Sequence, residues 1–180
     1  MTQFTVLGVL QSAWASAQLD SRETGATELR QALVAFTDHG NKVFVPFFQG
    51  LLAEIEAQSD AEGALIDEAL ALAGETGEHW NDAFLHRLRA EILLKRDPAN
   101  TTAAEQAFLA AIATAQAQNA RTFELQAAVS LANLYRASGR STEAYAVLTL
   151  ALKGFAPTPE MPEIAEAQAL LGELSNPSVG

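Results

Sequence analysis

The chain repeats itself at a lag of about forty residues, and this periodicity restricts the folds open to it more than any other feature. Four segments share a helical pattern whose crowded, small-residue position falls at Ala13, Ala53, Ala90 and Ala132, at intervals of 40, 37 and 42 residues. A fixed period in this range marks a solenoid, in which each unit buries its apolar face only against its neighbours. Three junctions agree in detail, because Gly40, Gly77 and Asn119 each precede the crowded alanine by 13 residues. Gly and Asn are the residues that most readily take the left-handed backbone at a helix C-terminus. The predicted fold is all-α, a right-handed α-solenoid of four antiparallel helical hairpins plus a C-terminal capping helix, about nine helices in one domain over residues 1–180.

The hairpins read as residues 2–39, 41–76, 78–118 and 120–155. In the first, Asp20-Ser21 separates two helices, and Leu29, Ala32, Leu33 and Phe36 form one apolar face at i, i+3, i+4 and i+7 before a stop at His39-Gly40. In the second, Pro46 belongs in the first turns of a helix that continues through Phe47, Leu51, Leu52 and Ile55. Ser59-Asp60 restarts the chain, with Leu65, Ile66, Ala69, Leu70 and Ala73 inward. In the third, Asp97-Pro98 is expected to cap a helix and open it, ahead of a buried face of Phe108, Ala111, Ile112 and Ala115. The fourth turns at Gly139. Pro157, Pro159 and Pro162 then form a breaker-rich link to a single amphipathic helix over residues 161–174, and residues 175–180 form a tail.

Composition limits function as well as fold. Apolar residues make up 49% and charged residues 18%, which is a folding composition. The net charge of −11 repels nucleic acid and anionic lipid, so neither is expected as a partner. Without cysteine there is no disulfide, zinc-finger site or thiol nucleophile. Phe4 to Leu10 is apolar and Ala15-Ser16-Ala17 is small, as in a secretory leader, but no Lys or Arg precedes Arg22. The stretch is also too short to span a bilayer, so the expectation is a first helix in a cytoplasmic chain.

Clustered chemistry is sparse. His79, Asp82 and His86 fall at i, i+3 and i+7 between Glu78 and Glu91, a set that could ligate a metal. The i+7 interval exceeds the usual i+4 ligand spacing, and capping or surface histidines are the simpler account. Paired carboxylates such as Glu54 and Glu56, or Asp67 and Glu68, sit in polar stripes. Neither a nucleophile elbow nor a phosphate-binding glycine loop is present. The chain therefore reads as non-enzymatic, with no cofactor or metal.

The repeats resemble the tetratricopeptide pattern. Ala128-x2-Leu131-Ala132-x2-Tyr135 follows its first helix, and Ala144-x3-Leu148-x2-Ala151, Ala104-x3-Phe108-x2-Ala111 and Gly25-x3-Leu29-x2-Ala32 follow its second. The periods exceed the standard 34 residues, and the terminal Pro is missing from most units. Four stretches, Asp67 to Ala73, Leu85 to Leu94, Phe123 to Tyr135 and Glu163 to Leu171, are similar to the C-terminal repeat region of bacterial nucleotide-cyclase-type and helix-turn-helix ATPase signalling regulators. The resemblance implies a protein-binding scaffold in bacterial signalling or transcriptional regulation. It also implies that first helices line a concave groove presenting Leu7, Leu10, Trp14, Phe47, Glu54, Phe84, Arg87, Glu91, Gln126, Val129, Asn133 and Arg136. Arg87, Arg89, Lys95 and Arg96 concentrate four of the eleven basic residues, and Arg87 is the expected anchor for a carboxylate of a partner peptide. Arg89 is expected to pair with Asp82 or Glu91. Trp14 suits packing and recognition equally. The alternative is a homodimer through an uncovered apolar N-terminal edge of Leu7, Val9, Leu10 and Trp14.

Overall fold

The computed structural model describes residues 3–19, 22–38, 40, 42–56, 61–155 and 161–175. Among these, nine α-helices follow one another: α1 Gln3–Leu19, α2 Arg22–Asp38, α3 Val45–Glu56, α4 Ala61–Thr76, α5 Asp82–Arg96, α6 Thr101–Ala117, α7 Arg121–Ala137, α8 Ser141–Leu152 and α9 Pro162–Ser175. A 3-10 turn, His79–Asn81, leads into α5, and no strand occurs among the described residues. The fold is the expected all-α array of helical pairs closed by a single helix. None of the described helices is long and apolar enough to cross a membrane. The readings made at Asp20-Ser21, His39, Asn41, Ser59-Asp60, Pro157, Pro159 and the tail from Asn176, and that for the Leu7 side chain, lie outside the described residues.

Each helix packs on its successor, and α1, α3, α5, α7 and α9 also touch one another in sequence. The even-numbered helices do not pack on each other to a comparable extent among the described residues. The odd helices therefore form the inner layer. Small side chains permit this close spacing. Ala53, Ala90 and Ala132 have no exposed surface and Ala13 almost none. The core forms two clusters that meet at α5. Leu10, Leu29, Phe36, Leu52 and Ile66 pack with Leu85 and Leu88 of α5. Phe108, Leu125, Leu131, Leu148 and Ile164 pack with Ala90 of the same helix.

The turns obey the left-handed rule. Gly40, Gly77 and Asn119 have φ of 77°, 75° and 55°, and Gly139 has 75°. After three of them the next amide reaches back to close the helix end: Glu78 N to Ala73 O at 3.1 Å, Ala120 N to Ala115 O at 2.8 Å and Arg140 N to Tyr135 O at 2.8 Å. Two junctions differ from expectation. Helix α3 starts at Val45, because Phe44 takes φ 64° and interrupts the chain after Gly40. Asp97-Pro98 is not the start of α6. Asn100 N donates to Asp97 O at 2.9 Å, and Ala99 N donates to Asp97 Oδ1 at 3.0 Å. Pro98 thus occupies the second position of a β-turn, where its fixed φ fits, and the helix waits until Thr101.

Polar clamps tie the later units together. Glu124 is nearly fully buried, pairs with Arg121 and accepts from Gln116 Nε2 at 2.9 Å. The Arg121 guanidinium also donates to Ala151 O at 2.9 Å and Lys153 O at 2.6 Å, satisfying carbonyls at the end of α8. One turn further out, Glu105 of α6 accepts from Arg140 at 2.7 and 3.1 Å and from the Tyr135 hydroxyl at 2.8 Å. The Arg140 guanidinium lies 4.1 Å from the Tyr135 ring centre. Hydrogen bonding from Arg140, more than that from Tyr135, holds the Glu105 carboxyl below its ordinary value of 4.5, against the opposing effect of burial.

Two outcomes follow from these contacts. A Cβ on Gly25 would lie 2.4 Å from Ala17 Cβ and 2.5 Å from Ala17 Cα, which is backbone that cannot swing aside. Gly25→Ala is expected to cost about 1–3 kcal/mol, read as a lower thermal midpoint by circular dichroism. An unchanged midpoint would mean that α1 can shift freely. Because the native Glu105 stays ionised where the unfolded one takes up a proton, its stabilisation is complete above about pH 4.5 and is lost as pH falls through the depressed folded value. The advantage of wild type over Glu105→Gln should therefore shrink below that pH. A constant difference from pH 7 to pH 3 would contradict the clamp.

Candidate functional site

The inner face of the odd helices carries two bands, set by register against the crowded alanines. Phe47 and Phe84 stand six residues before Ala53 and Ala90, and Glu54 and Glu91 stand one residue after them, as Asn133 does after Ala132. Equivalent positions on stacked, like-directed helices lie side by side, so aromatics gather toward one end and polar groups toward the other.

The aromatic band is continuous. Phe47 packs against Phe84 with ring centres 5.6 Å apart, and Phe84 against Phe123 at 6.2 Å. Phe47 also meets Trp80 at 5.1 Å, and Trp80 meets Phe44 at 5.9 Å. Phe84 is buried and Phe47 half-buried, whereas Trp80 and Phe44 are 42% and 39% exposed. The Phe44 amide, in its left-handed conformation, donates to Glu78 Oε2 at 3.0 Å.

Arg87 joins the two bands. Its guanidinium carbon lies 5.5 Å from the Phe84 ring centre. Nη1 donates to Glu91 Oε1 at 2.6 Å and Nη2 to Glu54 Oε1 at 3.4 Å, while Nε is buried without a partner. Ser130 Oγ donates to the same Glu91 oxygen at 3.0 Å, and Gln126 Nε2 donates to Glu163 Oε1 of α9 at 3.1 Å. Together Glu54, Arg87, Glu91, Gln126, Val129, Ser130, Asn133, Glu163 and Glu166 surround an open cavity of about 370 Å³.

Of the positions expected in a groove, the structure brings Glu54, Arg87, Glu91, Gln126, Val129 and Asn133 to this cavity, with Phe47 and Phe84 beside it. Other positions lie elsewhere. Arg136, near the end of α7, is exposed outside the cavity and pairs with Glu173 of α9 at 2.5 Å. Trp14 packs half-buried against the N-terminal core, and its Nε1 is buried without a partner. Leu10 is fully buried because α1 lies over α2 and the core, so it offers neither a groove nor an edge contact. Val9 remains exposed.

Arg87 and Arg89, expected in one basic patch, reach different partners. Arg89 pairs with Asp67 at 3.1 Å on α4 rather than with Asp82 or Glu91. Arg87 is already engaged by two carboxylates and does not present a free guanidinium to a partner carboxylate. The sequence reading missed Ser130, Trp80, Phe123, Glu163 and Glu166. The two glutamates, at i and i+3 on the closing helix, were the legible signal.

The histidines diverge as well. His79 Nδ1 hydrogen-bonds Asp82 Oδ2 at 2.8 Å, whereas His86 borders a separate hollow against α6 with Arg89 and Leu93. Burial lowers the His86 pKa; Asp82 opposes this and Arg89 adds to it. Among the described residues no group of three His, Asp or Glu side chains is placed to hold a metal ion. No family model matches the chain, and no curated protein matches it.

Arg87 can be tested as a structural element. The Arg87 side chain is only 14% exposed, and removing it leaves Glu54 and Glu91 in the wall without their cation. Arg87→Ala is expected to cost about 2 kcal/mol of stability. A double-mutant cycle with Glu91→Ala should return a coupling of about 1 kcal/mol. Additive effects of the two substitutions would show that the pair contributes nothing.

Proposed function

We propose that this chain is a non-catalytic interaction module of the tetratricopeptide-repeat type that binds a segment of a partner protein along its inner face. The observation that carries the proposal is the convergence of polar side chains from α3, α5, α7 and α9 on one open cavity. Asn133 and Glu166 there have no evident part in filling the core. Polar groups in a recess shared by four helices suit recognition better than they suit stability. The resemblance to repeat regions of bacterial signalling and transcriptional regulators supports a role of that kind. A cysteine-free, acidic chain suits the cytoplasm.

Self-association through the N-terminal edge has less support. Leu10, the centre of that expected surface, is buried, and Trp14 is half-buried.

The test is selection of binders from a random 12-residue peptide display library, followed by titration against Asn133→Trp. That substitution fills the recess and leaves its charge unchanged. Selected peptides are expected to bind wild type and to lose at least about tenfold in affinity against the variant. Peptides that bind both equally, or a library that yields none, would refute a groove-binding role.

A further inference from the structure

We infer that the groove's occupant is a cationic segment: an extended stretch of a partner protein carrying Lys or Arg next to an aromatic or aliphatic residue. This rests on the groove reading above and specifies its ligand.

Charge sets the sign. Four carboxylates, from Glu54, Glu91, Glu163 and Glu166, line the cavity against one guanidinium, Arg87. Arg87 is held by Glu54 and Glu91 from within the wall. Among the described residues, Glu163 receives the neutral amide of Gln126 and pairs with no cation. A partner carboxylate entering this recess meets net negative charge, whereas an ammonium or guanidinium meets acceptors already in place. The recess is concave and walled by protein, which focuses that field more than an open surface would.

The aromatic band supplies an independent requirement. Trp80 and Phe44 expose large ring surfaces and connect through Phe47 to Phe84, the ring on which Arg87 of the cavity wall packs. Phe44 is held there at φ 64°, an unusual backbone for a bulky side chain, with its amide tied to Glu78. Exposed aromatic faces bind apolar side chains, and also cations through the ring quadrupole. Acidic walls and ring faces therefore select the same class of ligand. The four odd-numbered helices from α3 to α9 span roughly 25–30 Å at ordinary helix spacing, which an extended stretch of about eight residues covers.

The test uses three fluorescein-labelled 12-residue peptides, built from Leu and Gly with Lys, Gln or Glu at the remaining positions, titrated by fluorescence polarisation at two salt concentrations. The Lys peptide is expected to bind at least about tenfold tighter than the Gln peptide, less so at high salt, and the Glu peptide not at all. Glu163→Gln with Glu166→Gln should weaken the Lys peptide about tenfold. Glu28→Gln with Glu68→Gln removes the same charge from exposed positions on α2 and α4 and should leave binding unchanged. Trp80→Ala should weaken it through the aromatic band. Equal binding of the Gln or Glu peptide, or equal losses in the two charge pairs, would overturn the inference. Display-selected peptides that lack Lys and Arg yet lose binding in Asn133→Trp would leave the groove standing and refute only its cationic preference. A Lys peptide indifferent to Asn133→Trp and to the Glu163/Glu166 pair would refute both.

Discussion

Everything in this molecule depends on how closely the odd helices can approach one another. A helix of a repeat unit has no closed core of its own and must bury its face against the unit before and the unit after. Ala53, Ala90 and Ala132 have no exposed surface, and Gly25 makes room where α1 crosses α2. A larger side chain at any of them pushes a helix outward, and the displacement passes to the next unit. The long apolar side chains, such as Phe36, Phe108 and Leu148, then fill what remains between the two layers.

Spacing also sets where polar groups collect. Once stacked helices share a register, residues at matching offsets lie side by side whether or not they contribute to stability. The core claims positions on both flanks of each odd helix and leaves one strip facing inward. On α5 that strip reads Phe84, Arg87 and Glu91, and it is bounded by Glu54 on α3 and Ser130 on α7. The acidic character of the recess comes largely from the closing helix. Its buried Ile164, Ala167 and Leu170 cap the core while Glu163 and Glu166 turn to the cavity.

Much of this was legible in the sequence because it rests on backbone rules. The left-handed residues at Gly40, Gly77 and Asn119, the crowded alanines and the helical pairs follow from local chemistry repeated at one spacing. What was not legible depends on contacts between units. The partner of Arg89 proved to be Asp67 on the preceding helix, and Arg136 was taken up by Glu173, 37 residues away. Leu10 looked uncovered when α1 was considered alone, but it disappears under neighbours that single-helix periodicity cannot show. The Asp97-Pro98 pair misled because the same dipeptide suits a helix start and a β-turn, and hydrogen bonds from Ala99 and Asn100 favour the turn.

The two core clusters meet at α5, which contributes to both, and Phe123 of α7 packs back onto the first. The recess straddles that seam, with Glu54 on the side of the first cluster and Glu163 on the side of the second. A change in the tilt of one block of helices against the other therefore alters its width. A molecule lying across the seam acts as a brace between the two blocks of helices. The mechanical consequence is that whatever fills the recess stiffens the array as a whole, and whatever bends the array at α5 loosens its hold on what it carries.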